Sequence, residues 1–373
     1  MKISVIILNY NVRYFLEQCI LSVESGLKYL DGEIIVIDNN SKDDSCEMVK
    51  QRFPHITLLQ NKENVGFSKA NNQAVAVAKG EYICILNPDT AVQENTFKKC
   101  IDYAETIDNI GALGVHLMDG TGNFLPESKR NIPTPKVSLL KLLGFEKKYY
   151  ADHVSERGNG PIEVLVGAFM FMKRIVYDEV NGFDEDYFMY GEDIDLSYKI
   201  NNAGYQNHYL GSINVLHYKG ESTLKDRVYF DRFYSAMLIF YKKHLSQNLF
   251  LSFSVNVAVA IAKVIQISRG NRKEIPAAKI EKAFVFTEDL NVYRKLSEKM
   301  EIELRNSSKS LFDDGSLKNC LFIFDVNYMP YSQIFSVMSK FKNRNNQFRI
   351  CPPLSNFTVG SDKSDENGSV TVF

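Results

Sequence analysis

The sequence predicts an α/β fold with a mainly parallel central sheet, followed by an apolar helical segment and a small second α/β unit. Two observations point there. Short apolar runs, each broken by Asn, Asp or Gly, alternate through the amino-terminal part with stretches whose apolar residues recur at helical spacing. The same alternation restarts after an apolar stretch from Leu249 to Ile267. Strands that alternate with helices imply parallel pairing through right-handed crossovers. At 373 residues the chain can hold a large domain and a smaller one. We place them at 1–245 and 274–373, with the apolar segment 246–273 between.

Each element follows from local pattern. Ile3 to Leu8 is a continuous apolar strand broken by Asn9-Tyr10-Asn11, and Phe15, Leu16, Cys19, Ile20 and Val23 then keep a helical period. Glu33 to Ile37 is a second strand ending in Asp38-Asn39-Asn40-Ser41, with Asp43 or Asp44 placed to cap the next helix. Ile56 to Leu59 is a third strand. Asn64-Val65-Gly66-Phe67 leads into a helix from about Lys69 to Ala78, which Gly80 is expected to close. Tyr82 to Leu86 is a buried strand that must stop at Pro88, because proline has no N–H for the ladder. Residues 120–161 hold four of the ten Pro and the basic pairs Lys129-Arg130 and Lys147-Lys148, a pattern shared by functional lids and by disorder. Ile162 to Lys173 returns to strand with a small step at Gly167-Ala168, Gly191 precedes a helix carrying Ser197, Tyr198 and Ile200, and Ile213 to Leu216 is a strand. In the second unit we expect strands at Ala283–Phe286, Cys320–Asp325 and Phe348–Cys351, a helix to about Leu304 and another near Tyr331–Phe341. It has no Gly-rich phosphate loop.

Bulk composition narrows the function classes. Forty-four basic and 45 acidic residues nearly cancel, so no global charge draws the chain to nucleic acid. The six Cys lie far apart without a C-x-x-C pair, and Cys84 sits inside an apolar strand. Zinc or a disulfide framework is therefore not expected, and a reducing compartment is. A strand begins within three residues of the start, with no charged-then-apolar leader, which favours a cytoplasmic location. Leu249–Ile267 approaches the length of a bilayer span. Its internal Asn256, Lys263 and Gln266 argue instead for a helix on the membrane surface, at the cytoplasmic face; a core helix joining two domains is the alternative.

Several polar residues stand where chemistry is done. Asp89 follows the Tyr82–Leu86 strand, at the end of an α/β sheet where ligands bind. A single carboxylate there suits Mg²⁺ or Mn²⁺ that also holds substrate phosphates, although such an Asp by itself more commonly caps a helix. Asp38 ends the second strand and can accept the N3–H of a uracil or thymine ring, with Tyr10 beside it offering a flat face to the base. A turn with Asn39 and Ser41 is its plainer role and would fix the same carboxylate. Gly66 after Asn64 permits a close approach or a special backbone conformation. Asn71-Asn72 are poor helix formers in mid-helix and need a packing or a binding reason. Glu192-Asp193 open a helix, where the dipole favours acids. Phe183, Tyr187, Phe188 and Tyr190 add an apolar wall that raises a carboxylate toward the general-base range. His217, at a strand end, is a candidate metal ligand.

Read together, five ordered segments closely resemble glycosyltransferase family 2, with the GT-A fold, and in particular its rhamnosyltransferase-like branch. They are Ser4–Asn11, Asp38–Ser45, Asn64–Asn72 with Leu86–Thr90, Gly182–Leu196, and His217–Ser222. The resemblance covers roughly 1–245. It implies a nucleotide-diphosphate sugar donor, inversion at the anomeric carbon and a divalent metal, Mg²⁺ or Mn²⁺. Asp38 would contact the base, and Asp89 would be the last Asp of a D-x-D metal motif whose first place is held by Asn87. Asp193, with Glu192, would supply the catalytic base, and His217 would lie near the diphosphate and metal. Asn9, Tyr10, Asn40, Asn64, Gly66, Asn72 and Asn87 complete the expected donor-binding set. The family often has Arg where Asn71 stands. The resemblance also points to thymidine-diphosphate rhamnose as the first donor to test, and to a glycan or polyprenyl-diphosphate-linked acceptor in surface polysaccharide assembly. A sugar nucleotidyltransferase is the first rival, but Asn9-Tyr10-Asn11-Val12-Arg13 lacks the glycine-rich loop it needs. An inactive nucleotide-sugar-binding scaffold is the second, and the retention of Asp38, Asp89, Glu192, Asp193 and His217 together speaks against it. No G-x-G-x-x-G follows an early strand, which disfavours a dinucleotide enzyme.

Overall fold

A computed structural model describes residues 1–142, 145–221, 227–245, 279–363 and 366–373. β1 (Ile3–Asn9), α1 (Arg13–Leu27), β2 (Gly32–Asp38), α2 (Ser45–Arg52), β3 (Thr57–Gln60), α3 (Phe67–Val77) and β4 (Tyr82–Leu86) alternate as the sequence predicts. β5 (Thr90–Val92), α4 (Thr96–Ala104), β6 (Ile110–Met118), α5 (Pro135–Leu142), β7 (Asn159–Pro161), β8 (Phe169–Lys173), α6 (Arg174–Glu179), α7 (Glu192–Asn202), β9 (Gln206–His217) and α8 (Arg227–Phe240) follow. The carboxyl-terminal part adds β10 (Lys282–Phe286), α9 (Leu290–Lys299), β11 (Leu304–Asn306), β12 (Cys320–Asp325), α10 (Tyr331–Phe341), β13 (Gln347–Cys351), β14 (Phe357–Gly360) and β15 (Ser369–Val372).

Among the described residues the strands form two sheets. The nine-stranded sheet has the order β3-β2-β1-β4-β8-β6-β9-β5, with β7 on β9. β1 to β4 pair in parallel, and β8 runs antiparallel between β4 and β6, so β6 and β9 share the direction of β1. This is the expected α/β architecture with a mainly parallel central sheet. The six-stranded sheet has the order β11-β10-β12-β13-β14-β15, parallel as far as β13.

β1 and β4 read as unbroken apolar runs because helices cover both faces of the sheet. Alternate residues go to opposite cores. Ile3, Val5 and Ile7 meet Leu16, Cys19, Ile20 and Val23 of α1, whereas Ile6 meets Ala70 and Ala74 of α3. Each such fully buried aliphatic side chain contributes about 1.5–3 kcal/mol. The register pairs Asn9 with Asp38 and Leu86 with Phe169, which gathers the polar strand ends along one edge.

Four local expectations change. Gly80 does not close a helix, since α3 already ends at Val77; a Cβ there would fall 2.4 Å from the Ser4 nitrogen, so this glycine lets two strands approach. The strand expected from Ile162 is confined to Phe169–Lys173, because Val164 instead exchanges backbone hydrogen bonds with Arg130. Leu304 lies in β11 rather than at the end of a helix. The 120–161 excursion is ordered where described: it bridges to β6 at Met118–Phe124 and carries α5 and β7. The Leu249–Ile267 stretch lies outside the described residues, among which no helix is long and apolar enough to cross a membrane.

Candidate active site at the end of β4

Asp38 is buried and tied into its own turn. Its Oδ1 accepts Asn9 Nδ2 at 2.7 Å and Ser41 Oγ at 2.6 Å, and its Oδ2 accepts the Ser41 N–H at 2.9 Å. Oδ1 is thereby filled, whereas Oδ2 keeps a further lone pair, so the turn aims this carboxylate without exhausting it. Tyr10 is half-buried beside it. Asn40 takes a left-handed backbone, φ 65°, and accepts Lys42 Nζ through Oδ1. Asn64 Oδ1 accepts the Gly66 N–H and the Asn39 amide, while Asn39 Nδ2 also reaches the Gly66 carbonyl. Asn39 is thus the buried link between the two loops.

Gly66 and Asn72 hold a second loop in place. Gly66 has φ 88°, and a Cβ there would sit 2.6 Å from the Phe188 carbonyl oxygen, which also accepts the Phe67 N–H. The Asn72 amide is taken up by the Phe183 N–H, the Phe183 carbonyl, Tyr177 Oη and Glu185. Packing is therefore a sufficient reason for an asparagine in the middle of α3. Asn71 donates to the Phe67 carbonyl, and its Oδ1 is buried without a partner.

The turn after β4 brings Asp89 and His217 together. Thr90 pairs with His217 across β5 and β9, and the Asp89 carbonyl accepts the Tyr218 N–H. Asp89 Oδ1 lies 3.4 Å from His217 Nε2, and Asn87 Nδ2 lies 3.4 Å from the same nitrogen. Asp89 is only 4% exposed. Burial alone would raise its pKa, but His217 and the backbone N–H groups of Asp89 and Glu221 outweigh that and hold it below the ordinary range. His217 Nδ1 is buried without a partner among the described residues. Close by, Lys219 pairs with Glu127 at 2.5 Å.

A divalent ion fits this donor set. Two ligands about 2.1 Å from one octahedral ion stand about 3 Å apart, near the Asp89–His217 spacing of 3.4 Å. No cluster of three or more His, Cys, Asp or Glu able to hold a metal occurs among the described residues. Asp89 and His217 would supply two ligands beside phosphate and water, a mixture that Mg²⁺-type sites commonly use.

The second pair of acids reaches the same strand end from α7. Gly191, with φ 80°, turns the chain into that helix, and Glu192 and Asp193 open it. The Asn87 N–H donates to the Ala168 carbonyl at 3.0 Å. One residue earlier, the Gly167 N–H donates to Asp193 Oδ2 at 3.1 Å. Asp193 therefore lies one residue from the peptide that Asn87 touches, so it converges with Asp89 on the end of β4. A Cβ at Gly167 would stand 3.6 Å from Asp193 Cβ and 3.8 Å from Glu192 Oε1, so the glycine keeps the space beside both acids open.

Sequence reading missed the residue that most shapes this half of the site. Arg130 Nη2 donates to Asp193 Oδ2 at 2.6 Å and also to the Leu165 carbonyl. Both partners of the pair are buried, Asp193 at 8% exposure. Burial disfavours the Arg130 charge, but Asp193 and Tyr149 more than offset this and raise its pKa. The basic pair Lys129-Arg130 was its only sequence signal. Glu192 has the opposite character: its Oε2 is buried without a partner among the described residues. Burial first, and the Asp193 charge second, push its pKa well above the ordinary carboxylate range. A cavity of about 490 Å³, lined by residues including Asn131, His153, Glu163 and Gln206, opens at the start of β9. It lies roughly 35 Å along that strand from His217, at about 3.3 Å per residue.

Comparison with known proteins identifies the family. The family described as Glycosyl transferase family 2 matches residues 4–180, which includes Asp38 and Asp89 but stops short of Asp193 and His217. The rhamnosyltransferase WbbL of Escherichia coli K12 is 30% identical over 202 residues, covering 50% of this chain and 72% of that protein. The N-acetylglucosaminyl-diphospho-decaprenol L-rhamnosyltransferase of Mycobacterium tuberculosis is 28% identical over 211 residues, 52% of this chain and 68% of that protein. Among solved structures, the mannosyltransferase PcManGT of Pyrobaculum calidifontis, in complex with GDP-Man and Mn²⁺, superposes with a TM-score of 0.48 at 18% identity, over 73% of this chain and 76% of that one. The family match and the two rhamnosyltransferase relatives lead to one conclusion: the chain belongs to glycosyltransferase family 2 and is a rhamnosyltransferase-like glycosyltransferase of the GT-A fold.

Proposed function

We propose that this glycosyltransferase moves a sugar from a nucleotide-diphosphate donor to a glycan on a polyprenyl-diphosphate lipid, with inversion, using residues 1–245 as its catalytic unit. The convergence of Asp89–His217 and Asp193 on the end of β4 carries the proposal. Thymidine-diphosphate rhamnose is the donor of first choice, in keeping with the two rhamnosyltransferase relatives. The choice of a lipid-linked acceptor is in keeping with the decaprenol named for the mycobacterial protein, and we propose the cytoplasmic face of a membrane as the place of the reaction.

Asp193 is suited to act as the base. Its Oδ2 is committed to Arg130 and Gly167, whereas among the described residues Oδ1 accepts only the Ile194 N–H, leaving a lone pair for an acceptor hydroxyl. As that hydroxyl oxygen attacks C1 of the sugar, its proton passes to Asp193. The bond from C1 to the diphosphate oxygen breaks, and the nucleoside diphosphate leaves with the electron pair. Asp89 and His217 would hold a divalent ion, Mg²⁺ or Mn²⁺, whose Lewis acidity offsets charge on the leaving diphosphate by several kcal/mol. Asp38 and Tyr10 would receive the base of the donor.

A screen of nucleoside-diphosphate sugars, read by release of free nucleotide, tests the proposal. Asp193→Asn is expected to lower turnover by roughly 10²–10⁴-fold while donor affinity is retained. Wild-type turnover in that variant would remove Asp193 from its role, and pyrophosphate released from a nucleoside triphosphate would favour a nucleotidyltransferase.

A further inference from the structure

The segment after His217 is held from its far side by the carboxyl-terminal sheet. The Tyr218 N–H donates to the Asp89 carbonyl, and the Glu221 N–H helps to stabilise the Asp89 carboxylate. The side chains of this segment reach the other way. Tyr218 is 1% exposed and packs edge-on against Phe15 with ring centroids 5.0 Å apart. Both belong to one apolar cluster with Tyr331, Phe335 and Phe357 of the carboxyl-terminal part. Glu221 Oε1 accepts the Gly368 N–H at 2.6 Å.

The seam is closed at several other points. Glu94 accepts the Tyr331 and Ser332 N–H groups at 2.6 and 3.2 Å, so a side chain from the nine-stranded side caps α10. A Cβ at Gly122, where φ is 86°, would fall 2.4 Å from the Met338 carbonyl oxygen. One at Gly120 would fall 2.8 Å from Ser361, and one at Gly368 would fall 2.8 Å from Phe15 and 2.9 Å from Glu221 Oε1. The two sheets meet too closely for the smaller part to swing as a free module.

We infer that residues 279–373 form a fixed wall of the donor site, positioning Asp89 through a relay from Gly368 to the Glu221 side chain and, along the backbone from Glu221 back to Tyr218, to the Asp89 carbonyl. Glu221 and Gly368 are positioning residues in this relay. The inference rests on the reading of Asp89 and His217 as the donor-side pair.

Glu221→Ala, Glu221→Gln and Gly368→Leu test it in the full chain. Donor binding is titrated with Mn²⁺ by calorimetry, and amide hydrogen exchange is followed over 217–221. The Ala variant is expected to need about 10-fold more Mn²⁺ for half-maximal donor binding, the usual scale for losing a group that orients a metal ligand. The Gln variant, which can still accept the Gly368 N–H, should return to within about twofold of wild type. Gly368→Leu should act like Glu221→Ala and speed exchange of the Tyr218 amide about 10-fold or more, because its bond to Asp89 loosens. The exchange arm needs no donor, so it decides the relay even if the wild type binds no nucleotide sugar, a result that would count against the donor-site reading instead. Unchanged exchange in Gly368→Leu, or unchanged Mn²⁺ dependence in Glu221→Ala with a donor-binding wild type, overturns the inference.

Discussion

Replacing Arg130 with Met isolates the interaction that ties the 120–161 excursion to the candidate base. Arg130→Met keeps most of the apolar stem and removes the bonds to Asp193 and to the Leu165 carbonyl. Removing one partner of a buried ion pair generally costs 3–5 kcal/mol, because the other charge is left uncompensated. Here Asp193 would keep the N–H groups of Gly167 and Ile194. We therefore place the cost near the lower bound, about 3 kcal/mol. Asp193→Asn alone strands the guanidinium, which keeps one carbonyl acceptor, and is expected to cost about 2–3 kcal/mol. The double variant removes both charges and should be no less stable than either single one, giving a coupling energy of at least about 3 kcal/mol. Urea unfolding followed by circular dichroism measures the cycle, with slopes compared to check that the denatured state is unchanged. Additive single effects, with coupling below about 0.5 kcal/mol, would refute the claim that Arg130 positions Asp193. Arg130→Lys adds a geometric control: it restores a charge but not the fork that reaches two acceptors, so it should recover stability better than turnover.

Two further outcomes follow from the same geometry. Glu192 has a raised pKa in the folded chain, so the native state holds its proton more tightly than the unfolded chain does. Its contribution to stability is complete below the ordinary Glu value of about 4.3 and is lost as pH rises through the raised value. Glu192→Gln should therefore gain stability over wild type as pH is raised from about 5, and parallel pH–stability curves would contradict the burial argument. Asp89→Ala should abolish the dependence of donor affinity on Mg²⁺ or Mn²⁺, because a single His is left of the two-ligand set. Calorimetry showing the same donor affinity and the same metal dependence in that variant would exclude Asp89 as a ligand.

Much of the site was legible in the sequence because its parts are local. Asp38 and Asp89 each follow an apolar strand, and a strand end is visible wherever an apolar run stops at Asn, Asp or Pro. The Glu192-Asp193 pair is announced by Gly191, which takes the left-handed turn that opens α7. The role of Gly66 was readable as a close approach, but its partner, the Phe188 carbonyl, was not, because it lies far along the chain. Asn72 shows the same division: its poor helix propensity called for a reason, and only the fold shows that Tyr177, Phe183 and Glu185 supply a packing one.

By itself the sequence determined the α/β alternation and the family and nominated the candidate acids, since periodicity and strand-end chemistry are properties of neighbouring residues. Tertiary structure alone decided that Arg130 faces Asp193 and that the carboxyl-terminal sheet closes on Tyr218 and Glu221. Those contacts join residues 63 and 147 positions apart. No local pattern encodes such a pairing, because it exists only once the strands have taken their order and two buried surfaces have met.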